Sequence, residues 1–296
     1  MSQSIRNGLS TVPELDDFQF SRWQGLLEER TGMFLPQQRR SFLQTSLGLR
    51  MLELGIRDYA EYYDKVLEGP SGVMEWSTLV DRLTVQETRF FRDPDALQLV
   101  EEHMRRQLPR LQAGGEAMEL WSVGCASGEE PYTLAMLAEK HLGSAGVQYS
   151  VTGTDISTIV LRKARSGRYP LRALERIPVS YHNWAVAPLS SQQVEVSAKL
   201  RRRCCFSQVN VLNLKNCPLQ SQHVIFCQNV LIYFRRWRRR EILDALAQRL
   251  APGGLLVLGL GEMVDWQHPL LESVHSGQVT AYVRKQSTST GESARR

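Results

Sequence analysis

The sequence predicts a doubly wound α/β domain preceded by a small all-helical domain. Between Glu119 and Lys285 short β-type runs alternate with helical ones, whereas from Phe18 to about Leu67 apolar residues recur at helical spacing. A length of 296 residues also exceeds what one domain usually needs. In the first region the spacing is carried by Phe18, Trp23, Leu26 and Leu27, then by Phe42, Leu43, Leu47, Leu49, Met51 and Leu52, with Gly32, Gly55 and Gly69-Pro70 as stops. The expected boundaries are a helical domain at 1–75, a linker at 76–92, and the α/β domain at 93–286.

Within the α/β region the order is strand ELWSV, helix PYTLAMLAEKHL, strand VQYSVTGT, helix STIVLRKAR, then strand HVIFCQ, helix RREILDALAQRL and strand GLLVLGL. Strands separated by helices imply parallel βαβ units with helices on both faces of the sheet. The stretch from Gly167 to Phe206 breaks this rhythm with Pro170, Pro178 and Pro188, and ends in the strand-like QQVEVSAKLRRRCCF. It is expected to be an inserted β-subdomain at about 167–206. The polar tail, 287–296, is expected to be disordered.

Composition narrows the function classes. Charged residues make up 23% and hydrophobic residues 42%, enough for packed cores. The longest strongly apolar stretch, Leu255 to Leu260, is far short of a membrane span, and the N-terminal residues lack an apolar signal core, so a cytoplasmic address without membrane insertion is expected. Five cysteines without a C-x-x-C pair give no zinc-binding spacing, and no metal is expected. The net charge of +5 suggests phosphate binding, but residues 1–80 carry 8 Lys+Arg against 11 Asp+Glu and the remainder 28 against 20. The excess sits mainly in Arg201–Arg203 and in Arg235, Arg236 and Arg238–Arg240.

The first candidate site is Trp121–Pro131, a strand, a glycine-containing turn, and a helix start with Glu129, Glu130 and Pro131. In open α/β sheets a ligand sits beyond the strand C-termini, where glycine admits close approach. A P-loop would need Lys, and a pyrophosphate would meet two carboxylates here. S-adenosylmethionine fits better, since it lacks phosphate and carries sulfonium and ammonium cations. Asp155, after the second strand, is placed to accept ribose hydroxyls.

Four segments give the chain its resemblance to a known family: Glu87–Asp93 (ETRFFRD), WSVGCASGEEPYTLAM, Thr154–Ser157 (TDIS), and IFCQNVLIYF at 225–234. With them the sequence resembles the chemotaxis receptor methyltransferases of the CheR type over nearly its whole length. The resemblance implies a class I S-adenosylmethionine-dependent methyltransferase domain, Rossmann-like, with a small inserted β-subdomain and an N-terminal all-α domain. It also implies cofactor contacts at Gln86, Thr88 and Arg92, where the family usually has Asn at the first position, and at Gly124, Glu129, Asp155, Asn210, Val211, Asn229 and Val230. After the fifth strand the family often has G-H-S-E; here the residues are Gly259-Leu260-Gly261-Glu262, and no role is expected for them. The insertion is a few residues shorter than in members that dock on a receptor's C-terminal pentapeptide, which points to a pentapeptide-independent type.

The implied reaction converts S-adenosylmethionine and a receptor glutamate into S-adenosylhomocysteine and a glutamate γ-methyl ester, in adaptation of chemosensory signalling. A free Glu has a pKa of about 4.3, so the nucleophile is already ionised and no base is needed. Tyr233 and Arg92 are the candidates for orienting groups. The partner would be the acidic cytoplasmic helical bundle of a chemoreceptor, not nucleic acid, with the enzyme recruited to membrane-bound receptor arrays. Arg39 and Arg50, 11 residues apart, would share a face of a continuous helix and meet that bundle. Two readings compete. A class I methyltransferase acting on exocyclic amines would carry N/D-P-P-Y/F where this chain has Gln228-Asn229-Val230-Leu231. The other is a non-catalytic receptor-binding module that holds the cofactor or has lost it, and the intact Glu129 and Asp155 argue against it.

Overall fold

The computed structural model describes residues 13–84, 86–218 and 221–286. They form two compact units: the described residues up to 84 together with Tyr233–Arg235, and the described residues of 86–232 and 236–286. The tail expected to be disordered lies outside the described residues.

The first unit holds helices α1 (Asp17–Thr31), α2 (Arg40–Leu54), α3 (Tyr59–Leu67) and α4 (Gly69–Leu83). Asp16 caps α1 by accepting the Gln19 N–H at 2.7 Å, and Gly32, at φ 76°, ends it. The buried face of α1 is Phe20, Trp23, Leu26 and Leu27. Phe18, counted in the helical spacing, is instead 67% exposed. Gly69-Pro70 follows the end of α3 at Leu67, as expected of a stop, and also starts α4, with Pro in its first turn, because a proline without an N–H suits that position as well as it ends the preceding helix. The helical unit therefore runs ten residues beyond the expected boundary, and the linker shrinks to the short segment before residue 94.

Arg50 ties three of these helices together. Its guanidinium donates to both Glu75 carboxylate oxygens, at 2.8 and 2.7 Å, and to Glu53 at 2.9 Å, while the Tyr62 hydroxyl donates to Glu75 at 2.7 Å. Arg39 belongs to a 3-10 turn, Gln37–Arg39, that precedes α2. The face shared by Arg39 and Arg50 is thus corrected: the α-helix begins at Arg40, and Arg50 is spent on Glu75. The unit is completed from far along the chain. Phe234 forms an antiparallel bridge with Met33, the Phe34 N–H donates to the Tyr233 carbonyl at 2.8 Å, and Arg235 donates to Glu28 at 2.5 Å.

The second unit opens with α5 (Pro94–Gly114) and continues β1 (Met118–Val123), α6 (Glu129–His141), β2 (Tyr149–Asp155) and α7 (Thr158–Ser166). After the insertion come β6 (Cys204–Gln208), β7 (Gln222–Cys227), α10 (Arg236–Ala247), β8 (Leu250–Leu258), β9 (Leu271–Ser276) and β10 (Val279–Arg284). The seven strands lie in the order β6-β2-β1-β7-β8-β10-β9, parallel from β6 to β8, with β10 antiparallel to both neighbours. The chain leaves β1 towards β2 and later returns to its other side as β7, so the direction of winding reverses at β1. Apolar side chains from both faces, Leu120, Val151, Val224 and Leu255 on one and Trp121, Ile225 and Leu256 on the other, are fully buried, as a parallel sheet covered on both sides requires.

The insertion holds β3 (Arg168–Pro170), α8 (Val179–Ala185), β4 (Val186–Pro188), β5 (Gln193–Val196) and α9 (Ala198–Arg201), its strands forming an antiparallel sheet in the order β3-β5-β4. It ends before the expected limit: Cys204–Phe206 belong to β6, which pairs with β2 in the main sheet. Among the described residues no helix is long and apolar enough to cross a membrane.

Candidate active site

Because β6, β2, β1 and β7 are parallel neighbours, their C-terminal ends form one edge, about 14 Å long at the usual strand spacing. Asn210 follows β6, Asp155 ends β2, Gly124 follows β1, and Asn229 follows β7. The fold thus gathers on one edge residues that are up to 105 positions apart in sequence.

The loop after β1 is tied to its neighbours on both sides. The Asp155 carboxylate accepts the Ala126 N–H and the Ser157 N–H, both at 2.9 Å. That holds Ala126 at φ 45°, a conformation costly for a residue with a Cβ. On the other side Gly124, at φ 70°, lies so close to Val230 that an added Cβ would come within 2.3 Å of the Val230 Cγ2. Glu129 is the first residue of α6, 8% exposed, and accepts the Ser127 hydroxyl at 2.7 Å. Asn210 caps a 3-10 turn through the Leu212 N–H, with Val211 next to it. Asn229 takes φ 60°, which Asn tolerates better than most residues.

Gln86 and Thr88 lie in the extended segment before α5, and Arg92 follows in the turn, its Nη1 donating to the Glu87 carbonyl at 2.9 Å. Arg92 also lines a small, open pocket together with Arg89, Phe91, Asp93, Glu130 and Gln228. Asp93 caps α5 and accepts the Gln228 amide at 2.8 Å, joining this segment to the end of β7. Tyr233 lies in the segment that completes the helical unit, where its carbonyl serves Phe34.

Two further carboxyls near this edge, Glu130 half-buried and Glu262 buried, were named in the sequence but given no role in the site. Glu130 accepts the Ser122 hydroxyl at 2.7 Å, and burial, opposed by that bond and by Arg92, pushes it up to about 8. Glu262 is 1% exposed and accepts the N–H groups of Leu231 at 2.8 Å and Gly259 at 2.7 Å. Burial raises its pKa although backbone amides, those of Asn229 and Ile232 included, favour its charged form. For Glu262 the donors are backbone groups from two loops, which no side-chain pattern reveals.

The edge suits a cationic, phosphate-free nucleoside: Glu129 and Asp155 supply carboxylates, the strand ends supply amides, and no Lys lies in the loop. With the reversal at β1 and the antiparallel β10, it defines a class I S-adenosylmethionine-dependent methyltransferase. The chain belongs to the CheR methyltransferase family, whose SAM binding domain matches residues 86–280 and whose all-alpha domain matches residues 19–84. The junction between the two matches falls where the two units divide. The chain is 33% identical over 272 residues to the chemotaxis protein methyltransferase of Salmonella typhimurium, covering 88% of this chain and 92% of that one. It is 32% identical over 251 residues to that of Escherichia coli, covering 84% and 85%. Against chemotaxis protein methyltransferase 2 of Pseudomonas aeruginosa the identity is 30% over 270 residues, covering 88% and 90%. The cofactor read from the loop chemistry and the methyltransferase activity are both those of this family.

Proposed function

We propose that the chain methylates the γ-carboxylate of specific glutamates in the cytoplasmic helical bundle of chemoreceptors, forming glutamate methyl esters and S-adenosylhomocysteine. The observation that carries this reading is the similarity over both domains to chemotaxis protein methyltransferases, with at least 84% of each of the three chains compared covered. The enzyme would work in the cytoplasm and visit membrane-bound receptor arrays.

The cofactor would be held by Gln86, Thr88, Arg92, Gly124, Glu129, Asp155, Asn210, Val211, Asn229 and Val230, and it supplies a methyl group on a sulfonium centre. Glu129 and Asp155 would meet its cationic and hydroxyl groups, and Arg92 its carboxylate. The receptor glutamate arrives ionised, so the chain's task is to desolvate and aim it. A strong ion pair to that nucleophile would stabilise the ground state more than the transition state, because attack removes both charges. One weak donor, the Tyr233 hydroxyl, suits the orienting role better than a guanidinium clamp. Arg39, exposed ahead of α2, remains a candidate for meeting the acidic bundle; Arg50 does not. The length of the insertion is the ground for reading the chain as the pentapeptide-independent type.

The test is incubation with methyl-labelled cofactor and receptor cytoplasmic fragments, with and without the receptor C-terminus. Label released as methanol by mild base is expected, from both fragments. Base-stable label would replace glutamate by a nitrogen acceptor, and receptor binding without label would leave only a binding module.

A further inference from the structure

The turn after β7 carries Asn229 and Val230 but has no regular hydrogen-bonded partner strand of its own, and Asn229 sits in the left-handed region. What holds it is a side chain 33 residues further on. One oxygen of the Glu262 carboxylate accepts the Leu231 N–H and the other the Gly259 N–H, with the amides of Asn229 and Ile232 also acting on it. A carboxylate offers about four acceptor sites, so one side chain can serve the Leu231 and Gly259 donors together with the amides of Asn229 and Ile232. The approach is so close that a Cβ at Gly259 would lie 2.3 Å from the carboxylate oxygen. The Glu262 carbonyl in turn accepts from Arg239 at 2.8 Å, anchoring the loop after β8 to α10.

We propose that Glu262 is a positioning residue for the methyl-donor site: its carboxylate acts as a built-in anion that organises the turn Asn229–Ile232 and, through Val230 against Gly124, the loop after β1. This rests on the cofactor contacts assigned above but not on the receptor as substrate. The carboxylate does not touch the donor; it fixes the backbone from which Asn229 and Val230 reach it. Replacing the carboxylate by an amide turns one acceptor oxygen into an NH2 group facing amide donors, which opens the nest without changing its size.

Hydrogen exchange and binding of S-adenosylhomocysteine, measured on the full chain, test this. In Glu262→Gln the amides of Leu231, Ile232 and Gly259 should exchange at least tenfold faster while those of β7 keep their protection, and affinity for S-adenosylhomocysteine should fall about tenfold, the scale of one charge-assisted hydrogen bond. Glu262→Asp, charged but one methylene shorter, should recover part of both. Unchanged exchange, or faster exchange with unchanged affinity, overturns the proposal. If Glu262→Gln fails to fold, Glu262→Asp carries the test: local loss of protection at 231, 232 and 259 with weaker binding supports it, and wild-type behaviour overturns it. Failure of the wild type itself to bind S-adenosylhomocysteine would instead overturn the cofactor-site assignment.

Discussion

Glu75, buried in the helical unit, and Glu130, half-buried in the catalytic unit, are driven in opposite directions by their environments. Arg50, hydrogen-bonded through two nitrogens, holds the Glu75 carboxyl below its ordinary range. Glu130 has only the Ser122 hydroxyl, with Arg92 acting through space, and burial prevails. The contrast extends to the surroundings. The helical unit joins its acids to arginines, as in Arg50–Glu75, Arg82–Glu53 and Arg40–Asp17. At the strand ends of the catalytic unit, Glu129, Asp155 and Glu262 meet hydroxyls and backbone amides. Acids joined to arginines build a scaffold; acids that meet hydroxyls and backbone amides retain a field that a cationic ligand can use.

The largest effect that could break this contrast is in the scaffold. Arg50→Ala strands the Glu75 carboxylate, and stability should fall by about 3 kcal/mol, the lower end for a broken buried pair because Arg50 is partly exposed. Affinity for S-adenosylhomocysteine should stay within about twofold. Urea unfolding and calorimetric titration check the two. The pH dependence has a definite sign. A carboxyl held low in the fold adds stability above its unfolded pKa, near 4.5, and loses it as pH falls through the lower folded value. The wild type should therefore shed this stability on acidification below 4.5, and Arg50→Ala should show a shallower acid limb.

Next comes Asp155→Asn, which loses the charged acceptor proposed for the ribose and turns one oxygen into a donor against a backbone amide. Cofactor affinity should fall about 100-fold, equivalent to about 2.7 kcal/mol, with a smaller change in melting temperature than in Arg50→Ala. Equal losses of stability in the two variants would erase the contrast. Gly124→Ala should cost about 2 kcal/mol, from a positive φ and overlap with Val230. Combining it with Val230→Ala should recover about half of that, since the overlap is relieved but the backbone strain is not. The smallest effect is expected for Glu130→Gln: at pH 7 a wild-type carboxyl pushed up to about 8 is largely neutral, so cofactor affinity should agree within about twofold. Above pH 8 the wild type acquires a charge beside Arg92 and should bind less tightly, while the variant stays flat. A calorimetric pH series from 6 to about 9.5 separates them.

The parts of this architecture that were legible in the sequence are those written locally. The strand, turn and helix around Gly124–Pro131 and the carboxylate ending β2 each lie within a dozen residues, and alternation alone marks the parallel sheet. What escaped depends on distant partners. Arg39 and Arg50 satisfy helical spacing, but Glu75, 25 residues beyond Arg50, decides what Arg50 does. Gly69-Pro70 punctuates a helix in either direction, and only the packing of Leu79 and Leu83 shows that a fourth helix follows. Cys204–Phe206 read as part of the insertion because their pairing with β2 spans about 50 residues. Glu262 lay in a stretch judged by the side chains it lacks, whereas its partners are main-chain amides.

The bridge from Met33 to Phe234, and the Arg235–Glu28 pair spanning 207 positions, have a consequence for synthesis. At 5–20 residues per second, about 8–30 s separate the emergence of residue 85 from that of residue 235. Throughout that interval the helical unit is on its own, with Phe34 lacking the carbonyl and the guanidinium that later cover it. Its last hydrogen bonds close only after most of the catalytic sheet has been translated, so a nascent chain or a fragment ending at residue 85 is a helical unit still waiting for three residues.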